Sequence, residues 1–237
     1  MKKYFYLFFL IFFCNPILTS EGLTRTWEKY ENIVNSKHQE YVMIVGGGHI
    51  YKDHINYPEN FYLVDNNRSW NVFPDLNLDI TKPIHDNLLH LNNKFNVVVF
   101  EYVSSDILKY QSFENAYNFL KKDGIFLFDS PANEPIEVRE PKNKSKYTEH
   151  QTEHGKIWTF FQESNLETYI SIDSKELRKE AIELITNHLT IILNKVGFKE
   201  IKVIKNINKD KNSLYSNYIK SGNKANLPIF MLSAKKD

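Results

Sequence analysis

Cysteine is all but missing: the 237 residues contain one, Cys14. It lies in an apolar leader, so a chain trimmed of that leader would hold no thiol. An intramolecular disulfide, a cysteine nucleophile and a cysteine-ligated zinc are thereby excluded. An excess of charge of one sign is missing too. Lys and Arg number 30 against 29 Asp and Glu, a formal charge of +1, and the lysines fall singly or in pairs. That balance gives no reason to expect nucleic acid or an anionic surface as partner. No run reaches the about twenty apolar residues that span a bilayer. Glycine is sparse, eight residues in all, yet three stand together at Gly46, Gly47 and Gly48.

What is present is ordinary globular material, 42% hydrophobic and 25% charged, enough to build one core. Met1–Ser20 has the build of a secretory signal peptide: Lys2 and Lys3, an apolar stretch Tyr4–Phe13, then Asn15, Pro16 and a small residue at Ser20. The expected organisation is therefore a leader over 1–20 and one domain over 21–237. The expected location is outside the cytosol, with a membrane anchor that leaves the domain in the cytosol as the alternative.

The domain reads as alternating strands and helices. Leu23–Lys37 has helical spacing of Trp27, Tyr30, Ile33 and Val34. Tyr41–Val45 is an apolar strand running into the three glycines, and Phe61–Val64 is a second strand ending at Asp65 and Asn66. Phe73–Ile80 is a shorter extended segment ending at Asp79, and His85–Leu91 is a weak helix. Phe95–Glu101 carries consecutive valines, as a strand buried on both faces does. A helix over Asp106–Lys121, a strand at Ile125–Phe128, a long helix over Lys175–Val196 capped by Gly197, and strands at Phe198–Ile204 and Leu227–Ser233 follow. Ser130–Tyr169 breaks the pattern. It is polar and proline-bearing, and it reads as an inserted loop or lid, with Ile157–Phe161 able to form a strand. Its aromatics Tyr147, Trp158, Phe160 and Phe161 can line a pocket or simply pack.

An apolar strand ending in glycines, followed by one ending in an acid, is the sequence form of a nucleotide crevice. Taken in order, IVGGGHI, LVDNN, NLDI, VVVFEYV, FLKKDGIFLFD, KVGFKEIKVI and LPIFMLS resemble a class I S-adenosylmethionine-dependent methyltransferase, over Tyr41 to Ser233. The resemblance implies a Rossmann-like α/β fold: a seven-stranded, mostly parallel sheet with an antiparallel closing strand and helices on both faces. It implies S-adenosylmethionine as cofactor. Gly46, Gly47 and Gly48 would hold its amino-acid end, Asp65 and Asn66 its ribose, Asp79 and Ile80 its adenine, and Glu101 and Tyr102 would face the methyl donor. Two departures stand out. Ile44 occupies the position of the family's acid, and Ile50 that of its last glycine.

Candidates for a general base are Glu101, His150 and His154. Each has a plainer reading. Asp65 and Asp79 can be turn-capping acids, Glu101 can be structural, and His150 and His154 can sit in a solvated loop. The EHQTEH spacing also invites a metal, but it lacks the HExxH order, so none is expected. The acceptor would be a small molecule or a protein, the small molecule favoured. The alternatives are an exported, catalytically inactive binding module and an NAD-dependent oxidoreductase.

Overall fold

The computed structural model describes residues 41–46, 61–66, 74–100, 107–129, 136–162, 165–205 and 230–237. Five short strands come first: β1 (Val42–Val45), β2 (Phe61–Asp65), β3 (Leu76–Asn77), β4 (Phe95–Phe100) and β5 (Leu120–Asp129). Four more, β6 (Ile136–Val138), β7 (Thr148–Thr152), β8 (Gly155–Gln162) and β9 (Asn165–Ile170), precede the closing pair β10 (Lys199–Lys205) and β11 (Phe230–Lys235). Two α-helices are described, α1 (Tyr110–Phe119) and α2 (Lys175–Val196).

The main sheet has seven strands in the order β10-β11-β5-β4-β1-β2-β3. β1 to β5 run parallel, and β11 lies antiparallel between β5 and β10. Central burial explains the composition of the inner strands. Val97, Val98 and Val99 are at most 1% exposed, as are Met43 and Ile44 beside them. A stack of rings beneath the helices completes the core. Phe100 meets Phe126 edge to face at 5.0 Å, and Phe126 meets Phe198 at 5.4 Å. Burying each such side chain is worth about 2–3 kcal/mol.

The connections β3–β4, β4–β5 and β5–β10 step one way along the sheet, whereas β1–β2 and β2–β3 step the other way. Right-handed crossovers put the two groups on opposite faces. α1 and α2 pack on each other and share the first face. The connections of the second group, 47–60 and 67–73, lie outside the described residues, as does the expected helix at Leu23–Lys37.

Local chemistry sets the helix ends. α2 starts where Ser174 accepts the backbone N–H of Leu177 at 3.1 Å and stops at Gly197, whose φ of 120° suits glycine. α1 is shorter than its sequence pattern. It ends at Phe119 because Leu120, fully buried, turns extended and pairs with Phe95. Asp86–Leu91 forms a 3-10 helix rather than an α-helix.

The inserted segment is more ordered than its polarity implies. β6, β9, β8 and β7 form a second sheet in that order, running along α2. Gly155 at the start of β8 sits against Leu177, and Phe161 near its end stacks on His188 at 4.7 Å, so β8 and α2 run in the same direction. Ile157, Phe161, Leu166 and Ile170 face the helix. Trp158, 1% exposed, donates to Glu149 at 2.9 Å. Tyr147 donates to Glu167. These two aromatics and Phe161 are occupied within the inserted sheet and its contact with α2.

Candidate functional site

The sheet reverses its winding between β1 and β4, and open α/β sheets bind ligands at the carboxyl ends of strands at such a switch point. The register brings the ends into line. Val45 pairs with Val64 on one side and Phe100 on the other, and Asp65 is opposite Asn77. Gly46 therefore leaves β1 beside Asp65 on β2, and Asp79 comes two residues after the end of β3. Gly46 turns with a φ of 83° and donates its N–H to the carbonyl of Val64 at 3.0 Å. A Cβ is strained in that conformation, which explains the glycine physically. Asp65 is half-buried, and its carbonyl accepts the N–H of Leu78 at 3.2 Å.

Asp79 is held in a side-chain turn. One carboxylate oxygen accepts both the backbone N–H of Thr81 (3.1 Å) and its hydroxyl (2.6 Å), and the other lies 3.4 Å from the ammonium of Lys82. The Thr81 hydroxyl, more than any other group, holds the Asp79 carboxyl below the usual carboxylate range. Ile80 is 2% exposed, so what a ligand could meet there is backbone rather than side chain.

Three polar residues that the sequence did not single out fix this edge. Asn115 of α1, 2% exposed, donates its amide to the carbonyls of Ile80 (2.8 Å) and Lys82 (2.7 Å). Gln111 donates to the Asn115 amide oxygen at 3.1 Å, which sets the amide's orientation. Asp75 accepts the N–H of Leu63 at 2.9 Å and ties the β3 approach to β2. The i, i+4 pair Gln111 and Asn115 within an otherwise apolar helix face was the one available signal for the first.

Gly46, Asp65, Asn66, Asp79 and Ile80 thus collect at one edge. Gly47, Gly48, Glu101 and Tyr102 lie outside the described residues. His150 and His154 are elsewhere, on the inserted sheet. His150 sits 2.9 Å from the Thr159 hydroxyl, and His154, in the β7–β8 turn, places Nδ1 2.9 Å from a Glu180 oxygen on α2. That Glu180 carboxylate raises the His154 pKa. The two histidines do not share a helix face, because the segment is a hairpin.

The strand order, with β11 inserted antiparallel next to β5, is that of the class I methyltransferase fold expected from the sequence. No family model and no curated protein matches the chain. Solved structures do. A protein described as an S-adenosylmethionine-dependent methyltransferase from Listeria monocytogenes is 14% identical, over 91% of this chain and 99% of that one, with a TM-score of 0.46. A methyltransferase of the same dependence from Archaeoglobus fulgidus is 13% identical over 92% and 94%, with a TM-score of 0.44. Another, from Mesorhizobium loti, is 14% identical over 89% and 97%, with a TM-score of 0.43. Likeness at this level carries no functional conclusion, which rests instead on the chain's own residues.

Proposed function

We propose that the chain is an S-adenosylmethionine-dependent methyltransferase acting on a small molecule in preference to a protein. The observation that carries this reading is the convergence of Gly46, Asp65 and Asp79 on three neighbouring strand ends at the switch point. The donor supplies a methyl group on a sulfonium, already electrophilic, so the protein's tasks are to bind, align and exclude water. Backbone groups of Gly46 to Gly48 would hold the amino-acid end. Asp65 would accept from the ribose hydroxyls, and Asp79 would offer the adenine amine the oxygen it shares with Lys82. The balanced charge of the chain argues against a nucleic-acid acceptor. Proton handling falls first to Glu101, because the partners of His150 and His154 belong to the inserted sheet and α2.

One observation favours a second reading, an inactive binding module. Ile44, at the position of the family's acid, is 1% exposed between Leu63 and Val99. The two readings separate in calorimetric titration of the purified chain with S-adenosylmethionine, S-adenosylhomocysteine and NAD. The first requires binding of both adenosyl ligands, and Asp65→Asn should weaken both about tenfold or more while the chain stays folded. Binding of NAD alone would move the protein to the oxidoreductases. A folded sample that binds none would leave the binding module. We also propose export through the Met1–Ser20 leader. Mass spectrometry should find the mature N-terminus near Glu21, and an intact leader would favour the anchored alternative.

A further inference from the structure

We infer that Glu153, His154 and Glu180 form a site for a divalent transition-metal ion of the zinc class, joining the β7–β8 turn to the second turn of α2. One ligand atom from each of the three lies within 4.8 Å of the other two. His154 Nδ1 is 2.9 Å from Glu180 Oε1, and its Nε2 is 3.8 Å from Glu153 Oε1. Tetrahedral coordination at about 2.0–2.1 Å needs ligand atoms about 3.3 Å apart. One ion takes one ring nitrogen of His154, so one of these two contacts has to rearrange, from ligand atoms already within 4.8 Å of one another.

The framework around them is fixed. Gly155 has a φ of 141°, and a Cβ there would lie 2.8 Å from the Ser171 hydroxyl and 3.0 Å from Leu177. The turn is therefore pressed against the start of α2. The Thr152 hydroxyl accepts the N–H of His154 and donates to the carbonyl of Gly155, both at 3.1 Å. That hydroxyl has no second proton to give, and Oε2 of Glu180 is buried with no hydrogen-bond partner. A buried carboxylate oxygen left this way is costly, and a cation removes the cost.

The donor set selects the ion. One imidazole and two carboxylates suit zinc, cobalt, nickel or manganese better than calcium or magnesium, which take oxygen ligands almost throughout. The two carboxylates balance the ion's charge. Glu153 is 82% exposed on its side chain, which leaves an approach from solvent and room for a water ligand. This inference does not rest on the methyltransferase reading, since the site belongs to the inserted sheet and α2.

The test is calorimetric titration of the full chain with zinc, together with the visible absorption of the cobalt-loaded protein. One zinc ion should bind, and cobalt should give the intense bands of a low-coordinate site. His154→Ala and Glu180→Gln should each weaken that ion by about 10–100-fold or lose it. His150→Ala, on the same sheet but outside the cluster, should leave it unchanged. If His154→Ala disturbs the fold, Glu153→Gln on the exposed ligand serves instead, with about tenfold weaker binding expected. Absence of zinc binding by the parent, or equal binding by parent and both ligand variants, overturns the assignment.

Discussion

Asn115 is the side chain whose replacement tests most directly how the crevice edge is held. Its amide donates to two carbonyls, those of Ile80 and Lys82, from within the core of α1. Asn115→Ala leaves the buried Ile80 carbonyl without a partner, a cost of about 1–3 kcal/mol, and the part-exposed Lys82 carbonyl adds about 1. The expected loss is about 2–4 kcal/mol, read as a fall in the denaturant midpoint at unchanged slope. Asn115→Asp is the sharper variant. It keeps the shape but turns a carboxylate oxygen toward two carbonyl oxygens, so it should destabilise more than alanine does. Because the Ile80–Lys82 turn carries Asp79, both variants should also weaken binding of S-adenosylhomocysteine. If Asn115→Ala unfolds within about 0.5 kcal/mol of the parent, or Asn115→Asp is as stable as the parent, the amide does not clamp this turn.

Two further outcomes bear on stability. Glu167 accepts from Tyr147, from Lys146 at 2.9 Å and from Asn165 at 2.7 Å; Tyr147 above all lowers its pKa from 4.5 to about 2. A carboxyl depressed on folding stabilises above its unfolded pKa and loses that contribution as pH falls through the folded value, here between about pH 5 and 2. The shift caps the contribution at about 3 kcal/mol, and partial exposure reduces it to about 1–2, so Glu167→Gln should be less stable by that amount at pH 7 and by little near pH 2. A gap that stays constant across that range would refute the assignment. Gly197→Ala places a Cβ 3.2 Å from the Tyr117 ring at a φ of 120° and should cost about 1–3 kcal/mol in thermal or denaturant unfolding. An unchanged midpoint would mean that the end of α2 relaxes freely.

The main sheet was legible because its signals are local and redundant. Consecutive valines in β4, the Ser174 and Gly197 ends of α2, and glycine after β1 each point to one conformation, and their order restricts the topology. The inserted segment was not legible, for a physical reason. β7 is mostly exposed, and its hairpin with β8 is tied across the strands by Glu149 with Lys156 rather than by a continuous apolar stripe, while Lys146 ahead of β7 pairs with Glu167 of β9. Its alternation, in Leu166, Thr168 and Ile170, is short and diluted by threonine. The histidine spacing carries no shared face here either, since the helix on which i and i+4 would share one is not formed. Here one histidine meets Thr159 within the sheet and the other meets α2. Asn115 and Glu180 went unnoticed because each acts on a partner more than 25 residues away, and nothing local marks such a pair.

The core also explains why one departure from the family pattern stands. Ile44 is 1% exposed and registers with Leu63 and Val99, both buried. A carboxylate at that point would lose its hydration with no described partner to replace it, a cost of several kcal/mol. The packing of β1 therefore disfavours the acid, and under the proposed methyltransferase reading its function would have to come from another strand or be lost. β4 is the neighbour that can supply it. Phe100 registers with Val45, so the next residue in the sequence, Glu101, follows the strand adjacent to Gly46. A negative charge missing from the end of β1 is thus present in the sequence at the end of β4, on the other side of the same switch point. Under the proposed methyltransferase reading, Glu101 would remain the first candidate for proton handling, and its charge would also favour the donor's ammonium end.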